Sequence, residues 1–426
     1  MPNFSIPLSG LTAEATALSA VANNLANQNT TGYKDTQVLF SDLFYQSLGT
    51  TGSGDPIQLG AGAQVGSMPS MFTQGSVSST GVPTDVAIQG NGFFVVQQDG
   101  VTSYTRAGNF SVDKNNYLVT ADGQQVLGYP AVNGAVNTGQ ALAPLQLGAG
   151  TISPATATGN VQIQTNLDAA AAVNDTYSTP ITVYDSLGAS HTLTFTFTKT
   201  ASNTWGYSVS LPATDLNAIP GQSGGNSTPQ TGVLATGTLT FDGNGTLIGP
   251  TSNGKLVSSI PVAATYLADG ASDMSFNWNL LNGTTPVVTQ VAAPSSTSST
   301  QQDGASSGTL TDFSIGADGT ITGSFSNGKT AALGQLALAS FANDEGLQRA
   351  GDTDYTATLA SGQAVIGTPG TAGRGTLAGG ALELSNVDIS SEFANLIVAQ
   401  RAFEANAKAV TTFDTIMSDT INMKQG

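Results

Sequence analysis

Residues 386–424 read NVDISSEFANLIVAQRAFEANAKAVTTFDTIMSDTINMK. Within them Ile389, Phe393, Leu396, Gln400, Phe403, Ala407, Val410, Asp414, Met417 and Ile421 follow one another in steps of four and three. That is the spacing of an apolar seam along one face of a helix. Asp388 stands ahead of the seam as an N-cap, and Lys424 falls in the last turn, where a cation suits the helix dipole. A helix of ~35 residues is ~50 Å long at 1.5 Å per residue, more than most compact domains need. A seam broken only by Gln400 and Asp414 calls for a partner helix. The other end of the chain offers one: Leu8, Leu11, Ala15, Leu18, Ala22 and Leu25 repeat the alternation, with Ser5 and Pro7 at its start. Spacing alone leaves two arrangements open. The helices either cap a globular core separately, or pair as a coiled coil with everything between them hung on as a nested loop.

The 426 residues are enough for two to four domains. Only 9% of them are charged, 51 are glycine, and the stretches between apolar runs are rich in Ser, Thr, Ala and Asn. This is the composition of a turn-rich, mainly β, extracellular-type protein. Twenty-eight acids against 11 bases give a net charge of −17, and no run of Lys or Arg occurs. Nucleic acid and anionic membrane are therefore poor partners. With no cysteine, disulfides and thiolate chemistry are excluded. The first basic residue is Lys34 and no uninterrupted apolar segment precedes it, so no Sec-type signal peptide is expected. No stretch approaches the ~18 apolar residues of a membrane span, so no membrane insertion is expected.

After the first helix, residues 22–34 read ANNLANQNTTGYK, a helix C-cap running into an irregular segment. Residues 35–70 are mixed, with an apolar cluster of Val38, Leu39, Phe40, Leu43, Phe44 and Tyr45 that reads as a short helix or strand docked on a neighbour. From 71 to 147 the chain is strongly β, with AIQGNGFFVV at 87–96, YTRAGNFSVD at 104–113 and NNYLVTADGQQVLGYP at 115–130. The Gly90/Gly92 pair lacks the third glycine and following helix of a phosphate loop and reads as a tight turn. A Gly/Ala/Thr/Pro linker near 148–160 opens a second β-region, to 308. There residues 181–184 and 191–197 form a hairpin about the turn at 185–188. The runs 221–228 and 294–307 read as exposed loops. Strands resume at 310–313 and 320–325, and residues 309–375 read as the returning half of the first β-domain. Residues 376–426 are a linker and the C-terminal helix.

ANNLANQNTTGYK near the N-terminus and SNVDISSEFANLIVAQRAFEANAKAV at 385–410 closely resemble the two terminal signatures of the flagellar rod and hook (axial) proteins. The three β motifs resemble that family's shared first β-domain, and residues 182–188, TVYDSLG, resemble the second domain of its hook-type members. The resemblance implies a multidomain, mainly β fold: two β-barrel or sandwich-like domains nested between N- and C-terminal helices that pair as a coiled coil, with residues 35–70 as a linker. It implies a homopolymer forming a flexible, curved tube, a universal joint carrying torque from rod to filament in motility. Implied partners are the distal rod protein, hook cap and hook–filament junction proteins, and the type III export apparatus with its chaperones. The implied location is the extracellular hook and basal body, reached without a cleaved signal peptide. Leu8, Leu11, Leu18, Leu25, Phe393, Leu396, Phe403, Val410, Met417 and Ile421 are the expected assembly interface. A distal rod protein is the alternative within the family, and a secreted β-rich adhesin the alternative outside it.

No active site emerges from the residues. His191, the one histidine, stands at a strand start beside a turn and reads as a packed or solvated strand residue. With it alone and no Cys, a protein-only zinc site is not expected, nor any cofactor. Asp242-Gly-Asn-Gly245 and Asp113-Lys-Asn115 lack the closing glutamate of a calcium loop and read as β-turns. Arg106 and Arg401 read as packing or intersubunit salt-bridge residues. The expectation is a structural protein and not an enzyme.

Overall fold

The computed structural model describes residues 5–51, 53–132, 134–147, 152–217 and 232–423; the expected loop at 221–228 and Lys424 lie outside these residues. It divides into two compact units. The first comprises residues 1–149, 312–323 and 331–426, and the second residues 150–311 and 324–330, so the chain passes from one to the other four times.

The second unit is built on alternation. In strand Ser190–Ala201, His191, Leu193, Phe195, Phe197 and Lys199 point inward while the threonines between them face outward or half-outward. Strands Thr176–Tyr184, Ser190–Ala201, Thr204–Ser210, Val233–Phe241 and Leu247–Gly249 form an antiparallel five-stranded meander. Ile181 pairs with Leu193, and Phe197 with Tyr207. A second sheet is centred on Asn160–Asp168, which pairs in parallel with Met274–Asn279 and Val288–Val291 and antiparallel with Ser296–Gln302. The core between the buried faces is closed by Trp278, whose ring lies 5.0 Å from Phe195 and 5.2 Å from Tyr207, edge-on to both. Trp205 Nε1 donates to Gln290 Oε1 at 3.1 Å, which satisfies that ring's polar edge. The Ser/Thr/Gln run is a correction to the sequence reading. Ser296–Gln302 is a ladder strand rather than a loop, because an edge strand is held by backbone bonds and needs no apolar face.

In the first unit Phe93–Val96, within strand Phe93–Gln98, is buried on both faces, which explains its unbroken apolar sequence. Phe94 and Val96 enter one core with Val86, Ile88, Leu118, Val126, Leu336 and Leu338; Phe93 and Val95 enter another with Tyr104, Leu347 and Tyr355. Strand Phe93–Gln98 pairs with Val101–Thr105, Gln125–Val132 and Leu338–Ser340. Strand Val86–Gln89 does not pair with it, although the intervening turn suggests a hairpin. It takes Thr376–Gly379 instead, with Gly90 and Gly92 at φ 105° and 126° redirecting the chain.

Two segments read as linkers are structured. Within 376–383, Thr376–Gly379 pairs with Val86–Gln89, and Ala381–Glu383 with Val77–Ser79. Within 35–70, Leu39–Asp42 pairs with Ala63–Ser67, and Tyr45–Thr50 with Pro56–Gly60, making a long two-stranded arm.

Candidate assembly helices and their anchor

The terminal segments form helices α1 (Ser5–Ala26) and α2 (Ile389–Met423), which pack on one another. Asp388 caps α2, its Oδ1 accepting the N–H groups of Ser390 (2.8 Å) and Ser391 (3.2 Å). Gly10 of α1 lies against Asn406 of α2, and Asn24 lies beside Glu392, so the helices run antiparallel. The same register carries the last turns of α2 past Ser5, the first described residue of α1. Glu392 is buried at this contact, and burial raises its carboxyl above the usual range.

What α1 buries is not the leucine seam. Its buried stripe is Pro7, Ala13, Ala17, Ala20, Val21 and Asn24, small side chains that let another element approach closely. Leu11, Leu18 and Leu25 sit half-buried on the flank, and Leu8 is 56% exposed. On α2, Leu396, Phe403, Val410 and Met417 are half-buried, whereas Phe393 and Ile421 are 48% and 54% exposed. Ile397, Val398 and Ile416 are exposed as well. The two-stranded arm adds Leu39, Phe40, Phe44, Tyr45, Ile57 and Leu59, all exposed; its strand Ala63–Ser67 packs on α1, where Ala63 N–H donates to Ser9 Oγ at 3.2 Å. Exposed apolar side chains in this number make these elements candidate contact surfaces.

Where the helices meet the β-structure the chain is tied by a buried charge cluster. Lys34 Nζ lies 2.6 Å from Glu383 Oε1, both side chains fully buried, and Arg106 Nη1 lies 3.2 Å from Glu383 Oε2. Lys34 also donates to Thr73 O (2.7 Å), Gly75 N–H to Glu383 Oε1 (2.9 Å), and Arg106 Nη2 to Gly90 O (2.9 Å). Burial pulls both the Lys34 and the Arg106 pKa down, and Glu383 pulls each back up. Asn386 donates to Asp35 Oδ1 (2.9 Å) and Met71 O (2.8 Å) and accepts from Asp35 N–H (2.8 Å). Asn24 Oδ1 accepts from the Tyr33 hydroxyl (3.1 Å) and Thr36 N–H (3.0 Å). Arg349 stacks on Tyr33, 5.1 Å from the ring centre, and donates to Lys34 O. Gly32 stands at φ +68°, where a Cβ would come within 2.7 Å of the Arg106–Ala107 backbone, so glycine is required there.

The terminal signatures are thus partly explained: Asn24, Gly32, Tyr33, Lys34 and Asn386 fix both chain ends to the first β-unit. The sequence reading missed Glu383, Arg349 and the role of Lys34. The signal it passed over is a charge set in an apolar run, Ala381-Leu-Glu-Leu384, of a chain with few charges. Arg106 is an intrachain ion-pair partner, and Arg401 is exposed.

Four family profiles match the chain: the flagella basal body rod protein at 6–34, the flagellar hook protein FlgE/F/G D1 domain at 87–171, the flagellar basal body protein FlaE D2 domain at 149–305, and the flagellar basal body rod FlgEFG protein C-terminal at 378–423. The flagellar hook protein FlgE of Escherichia coli is 36% identical over 99% of this chain and 100% of its own length. Those of Treponema pallidum and Salmonella typhimurium are each 35% identical, over 98% and 99% of this chain and 98% and 100% of theirs. The crystal structure of Helicobacter pylori flagellar hook protein FlgE2 aligns with a TM-score of 0.49 at 16% identity, covering 72% of this chain and 100% of that one. The assignment rests on the sequence matches, which run almost from end to end: the chain belongs to the flagellar hook protein FlgE family.

Proposed function

We propose that this chain is the structural subunit of a flagellar hook, polymerising through its terminal helices into a flexible, curved tube that carries torque from rod to filament. The observation that carries this reading is the apolar surface on α1, α2 and the arm: Leu8, Phe44, Phe393, Ile397, Val398 and Ile421 are exposed to solvent. Burying such side chains between copies contributes ~1.5–3 kcal/mol each, repeated at every subunit of a polymer. Leu11, Leu18, Leu25, Leu396, Phe403, Val410 and Met417, half-buried in one chain, complete the interface when neighbours pack on it. Each chain end is held by the Lys34–Glu383–Arg106 cluster, so force on the helices passes to the β-structure through a buried ionic tie. The role is structural and not catalytic. The tube meets the distal rod protein below and the cap and junction proteins above, and its subunits leave by the flagellar type III route without a cleaved signal.

Electron microscopy of the intact chain, concentrated under salting-out conditions beside a version ending at Val387, tests this. Tubes from the intact chain alone, and curved ones, are expected. Monomers from both versions under every condition would overturn it. The 9% charged content also lets the outer surfaces slide without breaking ion pairs. Charges added to the second unit should therefore stiffen the tube, and unchanged bending stiffness would contradict that step.

A further inference from the structure

In the second unit three side chains far apart in sequence place one donor atom each around a common point. They are Asp185, at the turn after strand Thr176–Tyr184, His191, in the next strand, and Asp269, in the loop before strand Met274–Asn279. His191 Nε2 lies 3.4 Å from Asp185 Oδ2 and 3.6 Å from Asp269 Oδ2, and all three atoms fall within 4.8 Å of one another. Asp185 is fully buried and the His191 side chain is 8% exposed.

Each of the three is held from behind by its other polar atom. Asp185 Oδ1 accepts the N–H groups of Leu187 (2.9 Å) and Ala189 (2.8 Å). Asp269 Oδ1 accepts Ala271 N–H at 3.0 Å. His191 Nδ1 lies 3.1 Å from Asp215 Oδ2, within ordinary hydrogen-bond range, so a proton donated from Nδ1 to Asp215 leaves Nε2, on the side of the two carboxylates, as the nitrogen that can bind an ion. The contacts at Nε2, at 3.4 and 3.6 Å, are longer than a good hydrogen bond. They match the ligand–ligand edge of a tetrahedron: bonds of ~2.0–2.2 Å to a central ion place neighbouring ligands about 3.4 Å apart. A histidine whose far nitrogen is fixed by a carboxylate is the usual outer support of a metal-bound imidazole.

We propose that Asp185, His191 and Asp269 form a site for a divalent transition-metal cation, with Zn²⁺ the best geometric match, His191 binding through Nε2 and a water filling the fourth position. This departs from the sequence reading, which gave a chain with one histidine no metal. The two carboxylates make up the deficit, and nothing in their spacing links Asp269 to His191 beforehand. Asp215 is a positioning residue that fixes the ring. The ion closes the turn at 185–189 onto the loop at 265–273, which already meet through Ser272 N–H and Ser186 Oγ at 3.0 Å.

The test uses the full chain, stripped with a chelator and titrated with Zn²⁺, read by calorimetry and by the nitrogen-15 signals of its one histidine. The expected result is one ion per chain, a displaced Nε2 signal with Nδ1 still protonated, and a higher melting temperature for the second unit. Asp215→Asn should weaken binding ~10–100-fold. Asp269→Asn should weaken it at least as much while folding normally, since its side chain is 31% exposed and the amide oxygen still accepts Ala271 N–H. An Nε2 signal that stays put at one equivalent of Zn²⁺, or binding that Asp269→Asn leaves unchanged, would overturn the site and leave a proton as what these three groups share.

Discussion

The core of the second unit and the terminal helices use the same apolar residue types to opposite ends. In the second unit Leu193, Phe195, Phe197, Trp205, Phe276 and Trp278 are all nearly or wholly buried within one chain. In α1 and α2 half of the buried positions are alanine, while leucine, isoleucine and phenylalanine lie half-exposed or exposed. One region completes its burial alone; the other leaves apolar side chains exposed, which the proposed assembly would cover. A helix stabilised largely by packing loses order when the packing is absent, so the two regions should separate under perturbation.

The largest separation comes from deleting residues 388–426: assembly should be lost entirely while the melting of the second unit is unchanged, as calorimetry and electron microscopy would report. Glu383→Ala strands Lys34 and Arg106 as buried, unpaired cations. Removing one partner of a buried ion pair is expected to destabilise the first unit by about 3–5 kcal/mol, measured by denaturant unfolding, with the second unit untouched. Trp278→Ala should do the reverse, lowering the stability of the second unit by ~3–5 kcal/mol through the cavity it leaves. Ile397→Ser, on an exposed face of α2, should change monomer stability by less than ~0.5 kcal/mol yet raise the concentration needed for assembly; unchanged assembly would remove that face from the interface.

The smallest effect is a pH dependence confined to the second unit. Burial pushes the Asp303 carboxyl up, but bonds from the Asn160 side chain and the Asn160 and Gly159 N–H groups outweigh it and hold the pKa below the usual carboxylate value. A depressed folded pKa gives stability that is present above the unfolded value of ~3.9 and is lost as pH falls through the folded value. Asp303→Asn should flatten that acid-side loss, seen as a smaller shift in melting temperature between neutral and acid pH.

Legibility in the sequence followed the same division. Where one chain buries its own apolar face, periodicity reads directly: the alternation of Leu193, Phe195 and Phe197 gives the hairpin, and the apolar run at Phe93 gives a strand. The N-cap at Asp388 read correctly because capping is local. The contact face of α1 did not read, because Ala13, Ala17 and Ala20 carry little apolar signal beside the leucines. Ser296–Gln302 was missed because a polar edge strand leaves no pattern. Lys34 and Glu383 stand 349 positions apart, and no local rule joins them.

The central claim is that the terminal helices are completed only by neighbours whereas the second unit is complete alone. Amide hydrogen exchange on the monomer and on the assembled tube tests it most directly. The account predicts weak protection of residues 389–423 in the monomer and strong protection in the tube, with the strand 190–201 protected in both. Strong protection of 389–421 in the monomer, unchanged on assembly, would contradict it.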